Sequence, residues 1–254
     1  MGATPTMADH CIHLWRIPLE AWDSPTGGFR EWLRQWLTPP EQARAARFAR
    51  EEDRVRFQLG RAATRCMLGR YLALPAGQIR IEAGPHGKPQ WAGVPAAARA
   101  VHFNLSHSGG WILVAFARSF PLGIDVETLT AERLSPELIE HVMCAGERRA
   151  LQALPPEQRA AAFFKCWTSK EAFLKGLGAG LSVALRAIEV SIDPGAPAQL
   201  LAAPSELHPG DWQLRSLQFS SAYAATLAAQ CAAPQILDCT LSSWRELQST
   251  GIGD

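Results

Sequence analysis

The sequence predicts an α+β protein built from two halves with the same order of elements. Three observations carry this. Strand-like runs gather after helical stretches instead of alternating with them, which favours antiparallel sheets over a doubly wound parallel one. Residues 12–118 read as a strand, helical segments ending in a long helix, then several strands, and residues 122–229 repeat that grammar. Nearly half of the 254 residues are apolar, enough for a proper core. The expected division is 1–119 for the first half and 120–254 for the second half plus a C-terminal extension. Each half would place a long helix on a mainly antiparallel sheet, and the cleft between them is the natural ligand site.

Element by element, Ile12–Leu19 reads as a short strand, and Phe29–Leu37 carries Trp32, Trp36 and Leu37 at helical spacing before Pro39 and Pro40. One long helix is expected from Pro40 to about Leu72. It interleaves Phe48, Val55, Leu59 and Leu68 with eight arginines, whose neighbours Glu51, Glu52 and Asp53 suggest a solvated, paired face. From Ile79 the period changes: IRIEA, a turn at GPHGKPQ, VHFNL, a turn at SHSGG, then WILVAFA read as a meander. LGIDVE follows as an apolar strand ending in two acids. Ser135–Met143 and Pro156–Gly176 read as helices separated by a polar stretch at 145–155, with Gly176 as the stop. AIEVSID, AQLLAA, WQLRSLQFS, AYAATLAA and QILDCTL close the chain as strands.

Composition excludes several classes. A net charge of +1 removes a global electrostatic case for nucleic acid or membrane binding, so any anion site must be local. The six cysteines show no CxxC pair and no regular spacing, against a zinc knuckle or disulfide scaffold. No apolar run approaches the ~20 residues of a membrane span, and the N-terminus lacks a signal-peptide pattern. The expectation is a cytoplasmic protein whose first eight or so residues are disordered.

Chemistry concentrates in four stretches. Glu171 and Lys175 are one helical turn apart in FFKCWTSKEAFLKGLGAGL, an arrangement that by itself fits a surface ion pair equally well. Asp125 and Glu127 are two apart in a strand and share a face. An acidic pair there needs solvent or a cation, and hard oxygen ligands suit Mg²⁺. The turn at 104–110 offers Ser106, His107 and backbone N–H groups beside Gly109 and Gly110: an anion cradle, or simply a hairpin turn. Lys88 in the Gly-Lys-Pro turn is a further cation.

Taken together, in this order and at these separations, GPHGKP, FNLSHSGG, LGIDVE and WTSKEAFLKGLGAGL closely resemble the motif blocks of the Sfp-type 4′-phosphopantetheinyl transferases, over roughly residues 39–193. The resemblance implies a pseudo-dimer with coenzyme A in the cleft, its nucleotide on the side of the first half. It implies Asp125, Glu127 and Glu171 as Mg²⁺ ligands, Glu171 also as the base, and Lys175 on the pyrophosphate. Lys170, Ser106, His107, Lys88 and Arg44 match residues around coenzyme A, with Arg47 a helper. Phe57 departs from the pattern, standing where some members have a phosphate-contacting threonine. The implied reaction moves 4′-phosphopantetheine to a serine of an apo acyl or peptidyl carrier protein of fatty acid, polyketide or nonribosomal peptide synthesis. The implied docking segment is 129–143, where Leu134, Leu138, Ile139 and Val142 face either a carrier or the protein's own core. A monomer is expected, without nucleic acid or membrane partners. The alternatives are a non-catalytic coenzyme A or nucleotide-binding module, which the intact acidic triad opposes, and a nucleic-acid binder using the arginine-rich helix, which the near-neutral charge opposes.

Overall fold

In a computed structural model, residues 7–22, 28–84, 86–93, 101–243 and 245–248 are described; residues 1–6 of the start expected to be disordered lie outside them. Strand β1 (Cys11–Pro18) turns Ile12 and Leu14 to one face and His13 to the other. Helix α1 (Phe29–Gln35) buries Phe29, Trp32 and Leu33. The single helix expected from Pro40 to Leu72 is two: α2 (Pro39–Ala45), opened by a capping box of Thr38 and Glu41, and α3 (Glu51–Leu72). In an unbroken helix Phe48 and Phe57, nine residues apart, would point to opposite sides. The break, with Arg50 extended at φ −101° and ψ 135°, brings their rings to 5.5 Å instead.

A small hairpin, β2 (Ile81–Ala83) with β3 (Pro89–Trp91), precedes the meander β4 (Val101–Ser108), β5 (Trp111–Arg118) and β6 (Leu122–Thr128). Helix α4 (Pro136–Val142) matches its expected place. The polar stretch after it is no separator but helix α5 (Ala145–Ala153), because Cys144 and Glu147 cap each other's backbone amides. Helix α6 (Pro156–Leu177) runs through Gly176 and stops at Gly178, which takes the left-handed conformation at φ 70°. Beyond it come β7 (Glu189–Val190), β8 (Leu200–Ala202), β9 (Gln213–Ser216), β10 (Tyr223–Ala229), β11 (Gln235–Thr240) and a short helix α7 (Arg245–Gln248).

The strands form two main sheets, ordered β11-β1-β5-β4 and β6-β10-β9, mostly antiparallel, which is the expected α+β architecture. Their inner faces meet through Ile12, Leu14, Leu113, Ala115, Ile124, Val126, Ala225 and Leu227. Helix α3 closes the outer face of the first sheet over Ile112, Val114 and Phe116, and α6 closes that of the second. The last strand, β11, returns to pair in parallel with β1 in the first sheet, a connection that the division into 1–119 and 120–254 leaves out. It covers the edge β1 would otherwise expose. Among the described residues, no helix is long and apolar enough to cross a membrane.

One contact sets up everything that follows. A side chain at Gly123 would collide with the backbone of Ala172 and Gly176. With hydrogen there, β6 lies directly against the last turns of α6, bringing the two acids of the strand beside Glu171 and Lys175.

Candidate active site

Asp125 is buried at 3% exposure. Its Oδ1 accepts from Lys175 Nζ at 2.5 Å and from Ser106 Oγ at 2.8 Å, while its Oδ2 is buried without a partner. Glu127 Oε2 accepts from Ser108 Oγ at 3.1 Å and from Arg133 Nη1 at 3.2 Å, and that guanidinium lies over the Trp167 ring at 5.6 Å. Burial pushes the Glu127 carboxyl above its ordinary value, and the charge of Asp125 adds to the push. Glu171 is raised as well, by burial first and then by Asp125 and Glu127, with Lys175 opposing. At Lys175 burial favours the neutral amine, but Asp125, Glu171 and Glu127 outweigh it and hold the ammonium. These four side chains are therefore one electrostatic unit.

Glu171, Leu174 and Lys175 form one wall of an open cavity of about 260 Å³; the first half supplies the other through His86, Lys88, Asn104 and Leu105. Among the described residues no group of three His, Cys, Asp or Glu side chains is arranged to hold a metal ion as it stands. Lys175 is seated on Asp125 instead. The donor set still fits a hard cation. It is all carboxylate oxygen, Asp125 Oδ2 is buried and unsatisfied, and both Glu127 and Glu171 carry charge that burial disfavours.

The other residues expected at this site are placed unequally. His107 is exposed at the end of β4, with Arg56 and Lys175 as the nearby cations. Arg44 is exposed, its guanidinium 5.0 Å above the Phe57 ring, with Arg61 5.8 Å from the same ring. Lys88 lines the cavity, but its Nζ donates to Gly176 O at 2.8 Å and Leu122 O at 3.1 Å, tying the first half to the end of α6 and the start of β6. Burial lowers its pKa to about 8.

One expectation needs correction, and one expected residue has further partners. Lys170 is fully buried and cannot reach coenzyme A; its Nζ donates to Glu147 Oε2 at 2.5 Å and Val142 O at 2.8 Å. It is displaced from the site because helical phase turns it toward α5, one position away from Glu171 on the cavity side. Ser106, expected on the nucleotide, is 7% exposed and bonded to Asp125, Lys175 and the Val126 amide. Of the four side chains weighed for carrier docking, Val142 lies wholly in the core, while Leu134, Leu138 and Ile139 are half-buried against it.

The sequence places Asn104 and Ser108 in the turn at 104–110 without a role of their own, and Glu147 in no site at all. Ser108 and Asn104 had a signal in the period of two that N-x-S-x-S shares with the acids of β6. Glu147 had one in its place three residues after Cys144, the spacing of a capping box.

Two family models match the chain: "4′-phosphopantetheinyl transferase superfamily" over residues 121–228 and "4′-phosphopantetheinyl transferase, N-terminal" over residues 20–119. The chain is 38% identical over 210 residues to the 4′-phosphopantetheinyl transferase HetI of Nostoc sp., spanning 81% of this chain and 86% of that protein. It is 34% identical over 170 residues to psf-1 of Bacillus pumilus, covering 67% and 70% respectively. With Sfp of Bacillus subtilis it shares 32% over 157 residues, 62% of this chain and 67% of that one. By these matches, spread over both sheets and both long helices, the chain belongs to the 4′-phosphopantetheinyl transferase superfamily.

Proposed function

We propose that this enzyme moves 4′-phosphopantetheine from coenzyme A to a serine of an apo acyl or peptidyl carrier protein, releasing adenosine 3′,5′-bisphosphate. Family membership supports the reaction. The observation that carries the placement is the electrostatic unit of Asp125, Glu127, Glu171 and Lys175, of which Glu171 and Lys175 line the cavity walled by both halves.

Asp125, Glu127 and Glu171 would hold Mg²⁺; bound there, the ion supplies a Lewis acid that neutralises the pyrophosphate of coenzyme A. Glu171 takes the proton from the carrier serine Oγ, which bonds to the β-phosphorus as the bond from that phosphorus to the leaving phosphate breaks. Without the ion, burial and the neighbouring acids hold the Glu171 carboxyl above its ordinary value. Lys175 keeps its proton throughout and stabilises the charge gathering on the departing phosphate. Arg44 and His107 meet the nucleotide end, and Phe57 offers a ring there in place of a hydroxyl. Residues 1–119 and 120–234 act as the two halves of the site, with the strand 235–240 completing the first. The enzyme works as a cytoplasmic monomer, which light scattering of the purified protein tests for size.

Intact mass spectrometry of an apo carrier incubated with the enzyme, coenzyme A and Mg²⁺ tests the reaction. The expected result is a gain of one phosphopantetheine that EDTA abolishes. No gain on fatty acid, polyketide and peptide carriers, with coenzyme A still bound, would mark a non-catalytic binding module.

A further inference from the structure

Strands β4 and β6 lie side by side but belong to different sheets, with no backbone ladder between them. Side chains take its place. Asn104 Oδ1 accepts from the Ile124 amide at 2.8 Å, Ser106 Oγ from the Val126 amide at 3.4 Å, and Ser108 Oγ from the Thr128 amide at 3.1 Å. Each partner is twenty residues along, so both strands advance in the same two-residue step. The two serines do more than close the seam. Ser106 donates to the carboxylate of Asp125 and Ser108 to that of Glu127, in each case the residue just before the amide it accepts from.

We propose that Ser106 and Ser108 are positioning residues that aim the carboxylates of Asp125 and Glu127. A seryl hydroxyl has one proton and two lone pairs. Ser106 uses all three, on Asp125 Oδ1, the Val126 amide and Lys175 Nζ. Ser106 and Lys175 both engage Oδ1, which leaves Oδ2 as the free oxygen of Asp125. Ser108 holds Glu127 through Oε2 and also meets Thr128 Oγ1 at 3.2 Å. The first half therefore sets the angle at which the second half presents its acids.

This inference rests on the proposed metal role of Asp125 and Glu127, and the test separates the two. Mn²⁺ binding is measured by calorimetry in the presence of coenzyme A for the wild type, Asp125→Asn, Ser106→Ala, Ser108→Ala and Ser108→Thr. Adenosine 3′,5′-bisphosphate binding in EDTA is measured alongside. Loss of a hydrogen bond to a metal ligand is expected to weaken Mn²⁺ about 10-fold in each alanine variant. Ser108→Thr should restore it, and binding of the bisphosphate in EDTA should not change in the Ser108 variants. Wild-type Mn²⁺ affinity in the alanine variants, or weaker bisphosphate binding in EDTA by Ser108→Ala, would overturn the inference alone. Mn²⁺ binding that ignores Asp125→Asn would overturn the metal reading and the inference with it. Should Ser106→Ala fail to fold, the Ser108 pair decides.

Discussion

Helices α3 and α6 are both 22 residues long and each covers one sheet, yet they handle charge in opposite ways. On α3 the charges sit largely at the surface, where Arg54 pairs with Glu51 and Arg56 with Asp53 one turn away. Its buried cation is Arg65, which spans to Glu41 and to the carbonyls of Trp36 and Ile79. Helix α6 instead buries cations along its length. Lys165 donates to the carbonyls of Asp193 and Ala196, and Lys170 to Glu147 and Val142. Thr168 and Ser169 meet Thr226 of β10. Charge on α3 is mostly paired locally with one long-range anchor, whereas on α6 Lys165 and Lys170 tie the helix to the 193–197 segment and to α5. Glu171 and Lys175 follow immediately, so their position inherits that rigidity.

The sharpest way to break the contrast is at the working end of α6. Glu171→Gln should cut transfer by roughly 10²–10⁴-fold, the range for losing a general base. The intact-mass assay reads this. Thermal stability should not fall, because the substitution removes a charge that burial, Asp125 and Glu127 disfavour. A melting temperature well below wild type would mean that Glu171 is structural.

The next effect tests the anchor. Lys170→Met leaves Glu147 charged and buried, with an expected cost of about 3–5 kcal/mol in urea unfolding. Lys170→Met/Glu147→Gln should recover part of it, since the glutamine removes the buried charge and its one amide oxygen still accepts from either the Val190 or the Cys144 amide. Equal losses in both variants would show that charge pairing is not what holds α5 to α6.

On α3 the matching change is milder. Glu41→Gln should cost about 1–3 kcal/mol, because Arg65 keeps its two carbonyl acceptors. Were it to match the Lys170→Met loss, the two helices would be anchored alike.

The smallest effect is a pH dependence beneath α3. Trp15 Nε1 donates to Tyr71 Oη at 2.8 Å, which leaves the phenol proton for His13 Nδ1 at 2.9 Å. Burial lowers the His13 pKa below its ordinary 6.5. The unfolded chain takes a proton at about 6.5 while the folded one still refuses it. Stability is full above that pH and is lost as pH falls toward the folded value. His13→Gln, which keeps an acceptor, should flatten the difference between urea midpoints at pH 7.5 and 5.5.

Much of this protein was readable in the chain. The apolar spacing of α6, the shared face of Asp125 and Glu127, and the order of the four motif blocks are local properties, and local periodicity reports them. Helix α5 was missed because its apolar content is slight and its cap is a cysteine, which is not among the usual capping residues. The break between α2 and α3 was missed because propensity favours helix on both sides of it, and the contact of Phe48 with Phe57 decides the matter.

The sequence by itself determined which residue types lie on which face of each element, since the helix and strand periods are set by the backbone. Only the tertiary structure decided what those faces meet. Lys170 and Lys175 sit on one helix five residues apart, and one is sealed on Glu147 while the other stands at the cavity on Asp125. Ser106, matched by its motif to a nucleotide contact, is bonded to Asp125 because β6, twenty residues on, came to lie beside β4. A side chain's partner depends on which elements pack together, and that is settled by burial over the whole chain rather than by its near neighbours.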